Sequence, residues 1–161
     1  MAKHDYPFSL ITEASVDLAE DDEILNLMIA VNFSGVFLGI ETPDADSVAL
    51  TKKFQNTGNS LVESVQKINR IGLRFMADFI MGFDGEKPGA GDRIIDFVEA
   101  TAIPFAMFGM LQALPNTALW DRLKKEGRLL QEQDKTTGNQ MNLTNFITTR
   151  PMKEFAKEYI R

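Results

Sequence analysis

The sequence contains no cysteine and only one histidine, His4. Without cysteine the chain can form no disulfide, no thiolate zinc site and no cysteine-ligated iron–sulfur cluster, and a single histidine is too few for a multi-histidine metal site. We therefore predict no metal ligands and assign no residue a catalytic role.

Long apolar runs and an excess of positive charge are also missing. No run approaches the roughly 18 apolar residues that a membrane helix needs, and the first residues lack the apolar stretch of a signal peptide. Seventeen basic residues face 23 acidic ones, which gives a net charge of -6. Because nucleic-acid binders usually present a basic face, we expect no nucleic-acid partner. From the missing apolar runs we expect no membrane association and a cytoplasmic location.

The chain does contain a regular alternation of strand-length apolar runs with segments of helical period. The four predicted strands are Phe8–Thr12, Val36–Ile40, Arg74–Met81 and Phe105–Leu111. The pattern predicts an α/β fold with four consecutive βα units and a parallel sheet, which is either part of a barrel or an open doubly wound sheet. We expect a single domain over residues 1–161, with the βα units in 8–127 and a C-terminal loop and helix in 128–161.

Start signals accompany the predicted helices. The first follows the acidic run 20–23 and is expected to bury Ile24, Leu27, Met28 and Val31. Ser60 begins a capping box for the second, Asp92 is the predicted cap of the third, and Asn116 or Thr117 that of the fourth. A polar loop over 131–141 and a last helix over 151–160 complete the prediction.

Three carboxylates stand in phase near the carboxyl ends of the first three strands. Counting two residues per repeat places Glu13, Glu41 and Asp78 on the faces opposite the most apolar ones. In parallel α/β folds ligands bind at these strand ends, where carboxylates can accept hydrogen bonds from ribose hydroxyls or an ammonium group. Two other interpretations stay open: the acids begin loops or are satisfied buried groups, or two of them form a glycosidase pair.

A glycine-containing loop over 81–92 follows the third strand and includes Gly82. It matches neither a dinucleotide-binding nor a P-loop motif, and its glycines serve equally well to admit a ligand or to make the turn. Phe37, Phe79, Phe105, Phe108 and the neighbouring methionines are assigned to the core.

Four segments together carry a resemblance to a known family: 12–15, 35–42, 78–86 and 114–117. In order and spacing they resemble the last four βα units of a radical S-adenosylmethionine (radical SAM) barrel, particularly its cobalamin-binding and methylthiotransferase-like branches. The match extends from about Phe8 to Gly127. The resemblance implies a partial TIM-like barrel and a parent activity in radical SAM chemistry, such as methylation.

The resemblance also implies a binding site. By position, Glu13 would contact the methionine moiety or ribose of SAM, Glu41 and Asp78 would lie by the ribose hydroxyls, and Ile80 would pack on adenine. Gly82 completes the predicted site residues. The family pattern GxIxGxxE is modified here, because Asp78 takes the place of its first glycine and Glu86 falls one position late.

The family's CxxxCxxC motif is absent. We therefore expect a truncated radical SAM domain that retains the ribose and adenine side of the site, with SAM binding weak or lost. The [4Fe-4S] cluster, and cobalamin if it is used, would belong only to a full-length parent.

Two exposed sheet edges are expected in such a half-barrel, at the strands of Phe8 and Phe105. They predict either a homodimer or docking against a missing N-terminal barrel half. The alternative function is a non-catalytic, self-associating α/β domain or a binder of another small polar ligand. A flavodoxin-like nucleotide binder is disfavoured, because the segment after Thr12 is acidic.

Overall fold

A computed structural model of the chain describes residues 7–43, 61–130 and 144–160. In chain order, the elements are β1 Leu10–Ala14, a 3-10 helix Val16–Glu20, α1 Asp22–Ala30, β2 Phe33–Glu41, α2 Leu61–Arg70, β3 Arg74–Met81, α3 Ala90–Thr101, β4 Phe105–Met110, α4 Ala118–Lys125 and α5 Met152–Ile160. The predicted cap Ser60 and the predicted loop 131–141 lie outside the described residues.

The four strands form one parallel sheet in the order β1-β2-β3-β4. This confirms the predicted α/β fold with consecutive βα units. Right-handed crossovers between strands that are adjacent in sequence place the connecting helices on one side of the sheet. The sheet is therefore half-barrel-like, with a helix-covered outer face and an inner face.

The outer face of the sheet forms the main core. Val36, Leu38 and Ile40 on β2 alternate with less buried residues, and Phe75, Ala77 and Phe79 do the same on β3. The helices contribute buried side chains that include Leu25, Val65, Ile68, Ile94 and Phe155. On the inner face of β3, Met76, Asp78 and Ile80 are only half-buried.

Helix α1 buries only part of the predicted stripe, since Met28 is buried and Val31 is half-buried. Leu25 and Met28 are buried, whereas Ile24 is 46% exposed and Leu27 is 55% exposed. The prediction was wrong for Ile24 and Leu27 because residues 24–31 offer two overlapping apolar stripes, and sequence periodicity does not distinguish between them. The acidic run does begin the helix, since Asp21 Oδ1 accepts a hydrogen bond of 2.9 Å from the Ile24 N–H.

Strand β1 begins and ends two residues later than predicted, so that Glu13 lies inside the strand. Helix α4 begins as expected, with the Thr117 hydroxyl accepting a hydrogen bond from the Trp120 N–H. Helix α5 confirms the predicted C-terminal helix.

The predicted cap of α3 was wrong. The helix begins at Ala90 with Gly89 as the N-cap residue, and Asp92 lies in its first turn. The side-chain acceptor comes from α5, because Glu158 Oε1 accepts a hydrogen bond of 3.1 Å from the Gly89 N–H. A local motif search cannot find a cap that lies 69 residues away in sequence.

In the three described ranges, no helix combines the length and apolar character needed to cross a membrane.

Candidate functional site

The strand register places a glycine beside each of two inner-face residues of β3. Asp78 is level with Gly39 on β2, and Ile80 is level with Gly109 on β4. Glycine inside a strand often marks a place where a ligand approaches the backbone closely, since no side chain stands over the sheet there. The arrangement leaves room for a flat group above the upper part of β3.

A cleft of about 290 Å³ lies at this place. It is lined by Phe37, Asp78, Phe79, Ile80, Met107, Phe108, Gly109, Met110 and Gln112. The lining is mostly apolar, with one carboxylate and one amide as its polar side chains, which is the usual composition of a small-molecule site. Of the predicted site residues, the cleft brings together Asp78 and Ile80.

Asp78 supplies the cleft's negative charge. The residue is half-buried and its Oδ1 atom is fully buried. A carboxylate accepts hydrogen bonds but donates none when ionised, so the ligand groups that suit it are hydroxyls and ammonium groups. A phosphate group does not suit this cleft, because the negative charge of Asp78 would repel it.

Glu13 points to solvent from the edge strand and is not part of the cleft lining. It is level with Phe37 on β2, which is level with Met76 on β3. Asp78 therefore lies two strands across, roughly 10 Å away, and two residues further along, roughly 7 Å. The two carboxylates are in the same layer of the sheet, but only a ligand that spans this distance could contact both.

Glu41 departs from the alternation that was used to place it. The pairing of β2 with β3 shifts between Gly39 and Glu41, so that Glu41 is level with Phe79 rather than with Ile80. Its φ of 66° lies in the left-handed region, which is uncommon for a side chain larger than glycine. A bulge at the end of a strand re-aims the next side chain, and such bulges are common beside functional sites.

Gly82 makes the turn that ends β3. Its φ is 103°, and a Cβ atom there would lie 3.3 Å from Met110 Cε. Its N–H donates a hydrogen bond of 2.9 Å to Glu86 Oε2. The predicted role of Gly82 in ligand binding stays a prediction, while its role in the turn is visible.

Glu86 is a buried acid. From the sequence it was noted only because it falls one position late in the family pattern GxIxGxxE. It is 3% exposed, and burial raises its pKa to about 7. The Gly82 N–H and the guanidinium groups of Arg150 and Arg93 act in the opposite direction, and the carboxylate of Glu158 adds to the increase.

Asp84, two residues earlier in the same loop, lies in an ion-pair network. Its two carboxylate oxygens accept bidentate hydrogen bonds of 2.6 and 2.9 Å from Arg128, and Arg122 Nη1 lies 2.8 Å from Oδ2. The hydrogen bonds from Arg128 lower the pKa of Asp84. Sequence patterns gave no sign of this network, because its members lie far apart in the chain.

Four residues that line the cleft were not among the predicted site residues: Phe37, Met107, Gly109 and Gln112. Phe37 and the nearby methionines were assigned to the core on burial preference alone. The available signal was glycine inside two strands, at positions 39 and 109, where a packed sheet prefers larger residues.

Among the described residues, no three histidine, cysteine, aspartate or glutamate side chains come together in a way that could hold a metal ion.

Comparison with known proteins adds to this geometry. The chain is 63% identical over 158 residues to an uncharacterized methyltransferase of Synechocystis sp., covering 98% of this chain and 29% of that protein. It is 36% identical over 130 residues to the hopanoid C-2 methylase of Rhodopseudomonas palustris, covering 81% of this chain and 25% of that enzyme. This chain is similar to methyltransferases.

Residues 117–161 also match a family described as a domain of unknown function, DUF4070. The chain spans less than a third of the length of the two methyltransferase relatives. The alignment with the Synechocystis protein takes in nearly the whole chain and therefore covers the βα units and the cleft.

Proposed function

We propose that this chain is a segment of a radical SAM methyltransferase and that its cleft binds the ribose and adenine side of S-adenosylmethionine. The observation that carries the proposal is the placement of Asp78 and Ile80 between Gly39 and Gly109 at the carboxyl end of the sheet. The similarity to two methylating proteins supports the reaction class.

The cleft residues suit a nucleoside by their chemistry. The side chains of Ile80 and Met107 offer an apolar surface to a purine ring, and Gly109 leaves space beside it. Asp78 is the acceptor for ribose hydroxyls, and the amide of Gln112 can both donate to and accept from a base. The volume of about 290 Å³ is at the lower end for ligand sites, which favours part of SAM over the whole molecule.

The iron–sulfur cluster does not fit this chain, which has no cysteine to hold it. In the proposed methyltransferase, the cleft residues of this chain bind and orient the nucleoside and exclude water from one side of it. Cluster ligands would have to come from other parts of the longer protein, and Glu13 and Glu41 would extend the site beyond the cleft.

Calorimetric titration with adenosine and with 2′,3′-dideoxyadenosine tests the ribose assignment. We expect the chain to prefer adenosine by about tenfold or more, because a hydrogen bond to a charged group contributes about 1.5–3 kcal/mol. Asp78→Asn should remove most of this preference. Asp96→Asn, which changes an exposed acid on α3, is the matched control and should keep it.

Binding of neither nucleoside, or equal binding of both by the unaltered chain, would contradict the proposed site. A further variant, Gly109→Val, places a side chain beside Ile80 and should weaken binding of both nucleosides equally. That result would separate the adenine contact from the ribose contact.

We also propose that the sheet edges are covered by further polypeptide, either a second copy or the other half of a barrel. The specific observation is the exposure of apolar side chains at both edges, with Ile11 on β1 65% exposed and Phe105 on β4 57% exposed. This surface also favours the alternative of a self-associating domain without catalysis. Analytical ultracentrifugation over a wide concentration range tests self-association, and a monomer throughout would exclude the second copy.

A further inference from the structure

Described residues of the segment that matches DUF4070 contact the β3–α3 loop, residues 82–89, at two places, in addition to hydrogen bonds with Ala113 and Phe108. The first contact is the Asp84 network, in which Arg128 and Arg122 reach the loop from the region of α4. Arg128 is fixed from other sides as well, since its Nε donates to the Ile147 carbonyl at 2.8 Å and its Nη1 donates to Glu126 Oε2 at 2.8 Å. Bidentate arginine–carboxylate pairs of this kind fix orientation as well as distance.

The second contact joins α5 to the other end of the loop. Glu158 accepts hydrogen bonds from the Gly89 N–H at 3.1 Å and the Gly91 N–H at 3.5 Å, at the positive end of the α3 dipole. Arg150 donates to Glu158 Oε1 at 2.5 Å and to the Lys87 carbonyl at 3.3 Å. Desolvation raises the pKa of Glu158, but the bonds from Arg150 and Gly89 outweigh it, so that the pKa is lowered.

Packing fixes this second contact further. A Cβ atom on Gly91 would lie 2.9 Å from the Glu158 carbonyl oxygen, so α5 approaches α3 as closely as a glycine permits. Phe155 on the same helix is completely buried in the main core. The contact of Glu158 with the N-terminus of α3 is therefore held between two closely packed helices.

The loop is directly continuous with the cleft. It begins directly after β3, whose Asp78 and Ile80 line the cleft. At the end of β3, the Met81 carbonyl accepts a hydrogen bond of 2.8 Å from the Leu111 N–H. Gly82 lies against Met110, another cleft residue. A displacement of the loop would thus move the ends of β3 and β4, which supply most of the cleft lining.

We propose that residues 117–130 and 144–160 act as a clamp that holds the β3–α3 loop through two separate carboxylate contacts, Asp84 with Arg128 and Glu158 with Gly89. The clamp residues are positioning residues, because they lie outside the cleft lining and act on it through the loop. The clamp itself stands on the contacts above, and its effect on nucleoside affinity rests on the proposed function.

Hydrogen–deuterium exchange of the whole chain tests the clamp without any ligand. Glu158→Gln and Asp84→Asn should each accelerate exchange in residues 82–91 by about tenfold or more, since each weakens charge-assisted hydrogen bonds. Two control variants touch the same arginines but not the loop. Glu154→Gln removes a partner of Arg150, and Glu126→Gln removes a partner of Arg128.

Faster exchange of this loop in Glu158→Gln and Asp84→Asn, with little change in the two controls, is the expected result. Unchanged exchange in all four variants, or equal acceleration in the controls, would overturn the clamp. A global rise in exchange would show unfolding, and in that case the conservative variant Arg128→Lys, which keeps the charge but loses the bidentate geometry, must reproduce the local effect for the clamp to stand.

Adenosine affinity then tests the positioning role. We expect Glu158→Gln and Asp84→Asn to bind adenosine several-fold more weakly than the controls, with the preference over the dideoxy compound intact because Asp78 is unchanged. Altered loop exchange with unchanged affinity would overturn the positioning role. If the unaltered chain binds no adenosine, the proposed function fails, and the exchange experiment still decides the clamp.

Discussion

Replacing Glu86 by glutamine removes a carboxyl group that is 3% exposed and whose pKa burial raises from 4.5 to about 7. In the native state the Glu86 carboxyl group therefore keeps its proton over a pH range in which the same group of the unfolded chain has released it. The stability that this group contributes is fully present below about pH 4.5 and is lost as the pH rises through about 7. At about 1.4 kcal/mol for each pKa unit, the full loss is on the order of 3 kcal/mol.

Glutamine is neutral at every pH and can still accept the hydrogen bond from the Gly82 N–H through its amide oxygen. We expect the free energy of unfolding of the unaltered chain to fall relative to that of Glu86→Gln by about 3 kcal/mol between about pH 5 and about pH 8. Urea denaturation followed by circular dichroism at several pH values measures this difference. Other titrating groups cancel, because both proteins contain them.

Asp96→Asn, on the exposed side of α3, is the control and should leave the pH dependence unchanged. Asp84 and Glu158 have lowered pKa values, so the stability that they contribute is lost only as the pH falls through the acid range. Parallel stability curves for the unaltered chain and Glu86→Gln across the neutral range would contradict the raised pKa of Glu86, since they would mean that Glu86 is ionised in the folded state.

Three further predictions concern packing and charge, and urea denaturation measures each of them. Gly91→Ala should lower the free energy of unfolding by about 1–3 kcal/mol, because its new methyl group would collide with the Glu158 carbonyl oxygen; no loss would mean that the two helices are further apart. Leu25→Ala should cost about 2–5 kcal/mol and Leu27→Ala much less, since only Leu25 is buried; the reverse order would restore the stripe predicted from sequence. Asp84→Asn should destabilise the chain at neutral pH and reduce its further loss of stability in acid, and an unchanged acid limb would contradict the pKa assigned to Asp84.

The fold was largely predictable because its signals are local. Each βα unit has a strand-length apolar run and an amphipathic segment, and the predicted bounds of β3 agree with the structure. The stripe of α1 was not predictable, because adjacent apolar residues at positions 24, 25, 27 and 28 fit two helix faces. The choice depends on what the helix packs against.

The candidate site was predictable only in part. Alternation correctly placed Asp78 and Ile80 on one face of β3, where both line the cleft. The two-residue alternation of side chains does not extend to Glu41, because the register of β2 with β3 shifts just before it. The cap of α3 by Glu158 and the pairing of Asp84 with Arg128 join distant parts of the chain, and a single sequence carries no local sign of such contacts.

We propose that the cleft on the inner face of β3 and β4 binds the nucleoside part of SAM. The most direct test of this proposal is a titration of the ¹⁵N-labelled chain with 5′-deoxyadenosine, followed by amide chemical shifts. We expect saturable shift changes concentrated at Asp78, Ile80 and Gly109, and none on the exposed face of α1. No saturable change, or changes confined to the helices on the outer face, would contradict it.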